Sequence, residues 1–285
     1  MKHLLLNEHL KSLFGERVQK LPVDPGFICP NRSGGKDGCI FCDDAGSAAT
    51  WLQKGMSIAE QLKKSAGIAQ RRYNTKKYIV YFQAYTSTAS DPQTLRKMYD
   101  QALLFPGVVG IAISTRPDAI SDDVLKLIKE YSQKTHLWVE LGAQSMHQKS
   151  LEWMKRGHDV NVFTDAVKRL KNEKINVVGH IIFGLPTETK QEIMESFKLF
   201  LDTGINGYKI HALHIIKGTP LHERYIKDKF KLLEMDEYIE LVRNALSVTP
   251  YGVVIHRLTG EVSEERLVAP KWVLNKNEIL RRALA

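Results

Sequence analysis

The chain reads as an α/β protein, a partial, TIM-like (β/α)6 barrel with a short C-terminal extension. Two observations predict it. Apolar, β-rich runs recur about every thirty residues, the length of a β-α unit, with amphipathic helical stretches between them. Several of these runs are nearly continuous in apolar residues, as expected where both faces of a parallel strand are buried. About six such units are too few for a full eight-fold barrel. No Gly-x-Gly-x-x-Gly follows a strand, which weakens an open dinucleotide-binding sheet.

Each element has its own signal. After a helix-like start, Val18 to Val23 reads as a strand. Ser57-Ile58-Ala59-Glu60 is a capping box opening a helix that runs to about Arg72. Tyr78 to Phe82 is a strand, followed by a helix opened by Ser90-Asp91-Pro92, with Pro92 suited to the first turn. Val108 to Ile113 is a strand, and Ser121 caps the helix after it. Leu137 to Leu141, Val177 to Phe183 and Tyr208 to Leu213 are three more strands, separated by helices near 160–172 and 189–202. His214 to Leu221 reads as a loop, Asp236 to Leu246 as a helix and Val253 to Leu258 as a short strand. The division expected is 1–221 for the barrel and 222–285 for a helical and strand extension packed on it.

The chemistry concentrates between Phe27 and Cys42, which holds all 3 cysteines of the 285 residues. Cys29, Cys39 and Cys42 are spaced Cys-x9-Cys-x2-Cys, with Phe41 just before the last. Three thiolates suit three irons of a 4Fe-4S cube and leave the fourth iron open. Structural zinc is the competing use of a Cys-x2-Cys pair, but no second ligand pair lies at short spacing. An odd number of cysteines in a chain of this size argues against a disulfide framework. The net charge of +9 favours acidic partners such as nucleic acid, or is a solvated face. No apolar run approaches a membrane span and the start does not read as a signal peptide, so a cytoplasmic protein is expected.

The cysteine loop ahead of serial β-α units resembles the radical S-adenosylmethionine (SAM) superfamily. More closely it resembles the branch of the elongator catalytic subunit, which shares the Cys-x9-Cys-x2-Cys spacing, and the oxygen-independent coproporphyrinogen oxidases. The likeness covers about Leu21 to Leu221. The runs CPNRSGGKDGCIFC, YFQAYTST and LVAPKW resemble a short bacterial group, the YtqA-like or MnmL-like proteins, linked to modification of the transfer-RNA wobble uridine. The resemblance implies that Cys29, Cys39 and Cys42 hold a 4Fe-4S cluster and that SAM chelates its fourth iron. One-electron reduction then cleaves SAM to methionine and a 5'-deoxyadenosyl radical.

The same resemblance implies cofactor contacts. Phe41 lies on the cluster loop, and Gln83, Ala84 and Tyr85 stand where relatives carry a Gly-rich stretch whose carbonyl receives the SAM amino group. Here bulkier side chains replace the glycines. Gln144 would hold the ribose or methionine part, and Arg156 would pair with the SAM carboxylate, for which a guanidinium fork is suited. Glu140 is either a structural strand acid or a cofactor contact. His180 stands where relatives often carry an acidic ribose ligand, or is a core histidine. Ser114, Thr115, Arg116 and Asp118 follow the third strand, on the side where β-α loops build active sites; the alternative for Arg116, before Pro117, is a structural turn residue. Lys209 and His211, two residues apart on one strand, with His214 beyond, are the candidates for substrate contact; the alternative is a satisfied hydrogen-bonded network.

The implied substrate is the anticodon loop of tRNA carrying a 5-carboxymethylaminomethyl uridine, converted to 5-aminomethyluridine. A reductant protein such as flavodoxin or ferredoxin and a pathway methyltransferase are implied partners. Lys63, Lys64, Arg71, Arg72, Lys76, Lys77 and the basic tail are candidates for phosphate contact. The rival readings are a radical SAM enzyme acting on a small metabolite or porphyrin, and a non-catalytic, zinc-stabilised RNA-binding protein.

Overall fold

The computed structural model describes residues 3–44, 46, 49, 51, 52 and 55–285. In chain order the strands are β1 (Val18–Val23), β2 (Lys77–Phe82), β3 (Val108–Thr115), β4 (His136–Gln144), β5 (Asn176–Phe183), β6 (Gly207–Ala212), β7 (Ile215–Ile216), β8 (Val254–Arg257) and β9 (Leu267–Ala269). The helices are α1 (Leu6–Phe14), α2 (Ile58–Tyr73), α3 (Pro92–Leu103), α4 (Asp122–Ser132), α5 (Gln148–Trp153), α6 (Val160–Asn172), α7 (Lys190–Asp202), α8 (Pro220–Asp228), α9 (Met235–Val248) and α10 (Lys276–Leu284).

Seven parallel strands form one curled half-barrel sheet in the order β1-β2-β3-β4-β5-β6-β8, and β7 pairs with β9 in a separate antiparallel ladder. The expected six strands are all present. The seventh, β8, comes from the segment read as a short strand beyond the barrel: Gly207 pairs with Val254 and Tyr208 with Ile255. The local signals act as expected. Ser57 and Glu60 complete the capping box of α2, Asp91 accepts from the N–H groups of Gln93 and Thr94 at the start of α3, and Ser121 caps α4.

The outward faces of the strands pack under the helices in one large core that includes Leu62, Val80, Tyr99, Ile113, Ile128, Val139, Phe163 and Phe197. The inward faces build layers. At the N-terminal ends of the strands the interior is apolar, with Val18, Ile79, Ala112, Trp138 and Val178 sealed by Leu6, Leu10 and Phe14 of α1. Moving toward the C-terminal ends, the interior becomes polar, and the loops there carry the cysteines. Three helices, α5, α8 and α10, and one ladder went unread. Helix α5 is only six residues, α8 begins inside the stretch read as a loop, and β7–β9 joins segments about fifty residues apart.

Candidate cofactor site

The cluster loop leaves β1 and lies across the C-terminal ends of the strands. Its apolar residues fix it: Ile40 and Phe41 pack with Leu151, Met154, Ile182, Leu185, Leu213 and Ile215. Backbone bonds complete the attachment, with Ile40 N–H donating to Met154 O at 3.0 Å and Leu221 N–H to Ile40 O at 2.8 Å. Asn31 Nδ2 donates to Lys155 O at 2.9 Å and reaches Cys39 Sγ at 3.5 Å. Opposite it, Gly157 has φ +78°, and a Cβ there would lie 2.3 Å from Asn31 Oδ1, so the turn admits only glycine.

Cys39 is buried, and Cys29 and Cys42 are half-buried. Arg156 Nη1 donates to Cys39 Sγ at 3.5 Å, and Arg116 Nη1 lies 3.9 Å from the same sulfur. A hydrogen bond from Cys42 and the two guanidinium groups hold the Cys39 thiol far below its ordinary range, against the opposing effect of burial. The bond to Cys39 and burial push the Cys42 thiol up, so the pair shares one proton with Cys39 as the thiolate. Among the described residues no trio of His, Cys, Asp and Glu side chains is already gathered around one point. The donor set nevertheless fits a thiolate-ligated cluster. It offers three sulfurs on one loop and two cations to offset their charge. The buried Arg156 Nε has no hydrogen-bond partner, which leaves a donor for an anionic ligand.

Arg156 and Gln144 come together above Gly142. Arg156 Nη2 donates to Gly142 O at 3.0 Å, and a Cβ on Gly142 would meet Gln144 Nε2 at 2.4 Å and Arg156 Nη2 at 2.7 Å. Gln144 itself has φ +69°. After β2, Gln83 N–H donates to Val23 O, Ala84 is fully buried, and Tyr85 (φ +49°) hydrogen-bonds through its hydroxyl to Asp44 O. The bulkier side chains therefore keep this stretch against the cysteine loop, with Tyr85 N–H donating to Gly46 O at 2.9 Å.

The mid-barrel candidates form a second group. Glu140, fully buried, accepts from Tyr81 OH at 2.7 Å, Trp138 Nε1 at 2.9 Å and His180 Nε2 at 2.9 Å, and forms a buried ion pair with Lys209. Lys20 Nζ stands 3.9 Å from the other carboxylate oxygen. Both ammonium groups lie 4.6 Å from the Tyr81 ring centroid, one from Lys20 and one from Lys209. Burial would raise the Glu140 carboxyl, but Lys209, Lys20 and His180 outweigh it and hold it well below the usual carboxylate range. Burial with Lys20 and Arg257 presses the Lys209 ammonium down, and Glu140 opposes them. Glu140 and Lys209 are thus tied into a side-chain network that joins β1, β2, β4, β5 and β6.

His211, one step nearer the C-terminal end of β6, has its ring 5.7 Å from that of His180. Its ring makes no hydrogen bond among the described residues, while its backbone lies in the β5–β6 ladder. His214 Nδ1 pairs with Ala212 O at 2.9 Å, beyond the strand end. Burial lowers the pKa of His180 to about 4 and that of His211 well below the usual imidazole range, so both are neutral at pH 7. Sequence reasoning missed Asn31, Lys20, Tyr81 and Trp138. A charged Lys20 inside an apolar strand was the available signal, as was the two-residue spacing of Trp138 and Glu140.

Known proteins share this sequence pattern and fold. Residues 24–200 match the model of the radical SAM superfamily, and residues 205–285 match the radical SAM C-terminal domain. The uncharacterised protein YtqA of Bacillus subtilis is 39% identical over 277 residues, which is 96% of this chain and 86% of that one. The tRNA uridine(34) acetyltransferase of Methanocaldococcus infernus is 31% identical over 160 residues, 54% of this chain and 29% of that protein. A solved structure of Methanocaldococcus infernus Elp3, lacking residues 1–46, superposes with a TM-score of 0.70 at 19% identity; it covers 93% of this chain and 63% of that one and is a likeness of fold. Enzymes of the superfamily use a 4Fe-4S cluster and SAM. The match of residues 24–200 to the superfamily model and the 39% identity to YtqA over nearly the whole chain place this chain in the radical SAM superfamily, in the elongator-like branch that includes YtqA.

Proposed function

We propose that the chain acts on the wobble uridine of tRNA, removing the carboxymethyl unit of 5-carboxymethylaminomethyl(-2-thio)uridine to leave the 5-aminomethyl form. The observation that carries this reading is the similarity to a tRNA uridine(34) acetyltransferase over more than half of the chain. The interior is compatible with it: the His211 ring lies beside that of His180 and, having no other side-chain partner among the described residues, can donate to a substrate carboxylate.

When bound, the cluster and SAM supply hydrogen-atom abstraction from an unactivated carbon. Cys29, Cys39 and Cys42 are the residues to hold the cluster, and Arg156 and Gln144 those to orient SAM. The methylene between amine and carboxylate is the position from which hydrogen loss is easiest. Loss of a further electron and a proton to a one-electron acceptor gives an imine, and water then releases a two-carbon aldehyde acid and the amine. His211 is the neutral imidazole placed to accept a proton during water addition. A wobble base has to leave its stack to reach it, and anticodon-loop bases are read in that splayed form.

The basic surface divides. Arg281, Arg282 and Lys276 of the tail pair with Glu278, Asp236 and Glu261, and Lys77 pairs with Glu16. Lys63, Arg71 and Lys76 form no ion pair among the described residues, and Arg72 with Arg17 flanks the Tyr73 ring at 5.3 and 4.4 Å. Phosphates are therefore expected along α2 rather than at the tail. The test is 5'-deoxyadenosine formation by anaerobically reconstituted protein with SAM and reductant, with and without hypomodified tRNA. RNA-dependent formation with loss of the carboxymethyl group by nucleoside mass spectrometry supports the reading. RNA-independent formation moves the substrate to a small metabolite or porphyrin.

A further inference from the structure

The end of β3 carries the second of the two cations beside the cysteines, and its other contacts fix its place. Arg116 is 3% exposed. Its Nε and Nη2 each donate to Asp118, at 2.8 Å to Oδ1 and Oδ2. The same Nη2 donates to Arg156 O at 2.8 Å, and Nη1 points at Cys39 Sγ, 3.9 Å away. Cys29 also lies within electrostatic reach of this guanidinium. One planar group thus joins the end of β3, the turn before α6 and the cysteine loop. Pro117 follows directly and opens a single 3-10 turn, Pro117–Ala119, which brings Asp118 back onto the guanidinium.

We infer that Arg116 is a positioning residue of the cluster end, fixing the Cys39 sulfur against the Arg156 turn and setting how readily the bound cluster accepts an electron. Arg156 has a free Nε and an anionic ligand to serve, so its charge is not dedicated to the sulfurs. Arg116 is locked by a two-point ion pair and cannot turn toward SAM. Uptake of one electron from an external low-potential one-electron reductant adds one negative charge to the thiolate-ligated cluster, with no bond or proton changing hands. A fixed positive charge beside a ligating sulfur in a poorly solvated site favours that added charge. Asp118 offsets part of the effect, but its side chain is 33% exposed, against 4% for that of Arg116, so solvent screens it more. Only the guanidinium meets both demands, because lysine offers a point charge without the two-point fork.

The test is a potentiometric titration, followed by electron paramagnetic resonance, of full-length reconstituted protein, with iron and sulfide counted for each variant. In Arg116→Gln the reduction equilibrium is expected to shift about tenfold toward the oxidised cluster, which for one electron is about 59 mV lower. Arg116→Lys recovers part of the shift, and Asp118→Asn moves the potential upward because the offsetting carboxylate is gone. An unchanged potential in Arg116→Gln with a full cluster overturns the inference, and so does a fall that Arg116→Lys does not reduce. If Arg116→Gln retains no cluster, Asp118→Asn decides: a rise supports the inference, and no change or a fall overturns it.

Discussion

Replacing Glu140 with glutamine isolates what the mid-barrel carboxylate does. In the favourable rotamer the amide oxygen keeps the bonds from Tyr81, His180 and Lys209, while an N–H turns toward the Trp138 N–H and the negative charge is lost. Removing one partner of a buried ion pair costs about 3–5 kcal/mol. Lys209 has an escape, since it sheds its proton when the carboxylate no longer opposes burial. At pH 7 that release costs about 1.36 kcal/mol for each unit below an ordinary lysine pKa near 10.4, or roughly 4.6 kcal/mol; at pH 9 it costs roughly 1.9 kcal/mol. In Glu140→Gln the unfolded chain then binds one more proton than the folded one, so stability rises with pH. The destabilisation relative to the native sequence should therefore shrink by about 1.4 kcal/mol per pH unit between 7 and 9. Urea unfolding followed by circular dichroism measures it, with unchanged m-values as the control for the denatured state. The double variant Glu140→Gln, Lys209→Met should lose the pH dependence and cost less than the sum of the two single changes. A penalty below about 1 kcal/mol, or a gap that stays constant with pH, refutes the argument.

Gly157→Ala places a Cβ 2.3 Å from Asn31 Oδ1 at φ +78°, so Asn31 leaves Cys39 and Lys155; iron retention after anaerobic desalting should fall, with roughly 1–3 kcal/mol of stability lost. Arg156→Lys removes the fork that bonds Gly142 O and reaches Cys39, and SAM binding by equilibrium dialysis should weaken about tenfold or more while the iron content stays near native. His180 is neutral in the fold with a pKa of about 4, against about 6.5 when unfolded, so its contribution is present above pH 6.5 and is lost as pH falls toward 4. That loss is at most about 3 kcal/mol, and a His180→Gln variant should flatten the acid limb of the stability profile. RNA affinity should fall steeply with salt, and Lys63→Glu with Arg71→Glu should reduce that slope, whereas Arg281→Glu should not.

What the sequence made legible is what local chemistry determines. The six strands that were read rest on apolar runs, and the starts of α2, α3 and α4 rest on Ser57, Asp91 and Ser121. The cysteine loop announced itself by spacing. The unread parts depend on partners distant in the chain. Strand β8, which was read as a short strand, is four residues, two of them polar, and its place in the barrel sheet depends on the edge that β6 offers. Helix α8 did carry a signal, Thr219 as N-cap with Pro220 in the first turn, but the preceding Gly218 made the stretch resemble a turn. The network around Glu140 needed the register that sets His180 beside Lys209 across β5 and β6, and no periodicity within one strand supplies that. The neutralised tail was hidden for the same reason, since Arg282 meets Asp236 on another helix.

The half-barrel has two sheet edges, β1 and β8, and the chain treats its two ends differently. At the N-terminal ends of the strands α1 spans the gap: Leu5 forms a bridge with Ile255 of β8, Ile255 N–H donates to Leu4 O at 2.8 Å, and Phe14 packs edge-on against His136 of β4. Leu10 and Phe14 then seal the apolar layer beneath Trp138. No comparable element crosses from β1 to β8 at the C-terminal ends among the described residues; there the space above Glu140 is bordered by the cysteine loop, Arg156 and His211. A closed barrel would fill that level with side chains. The curl must therefore be held from below and from within, which is the work left to α1 and to the charged layer that ties β1, β2, β4, β5 and β6 through Lys20, Tyr81, Glu140, His180 and Lys209. Closure thus rests on α1 at one end and on the charged layer through the middle.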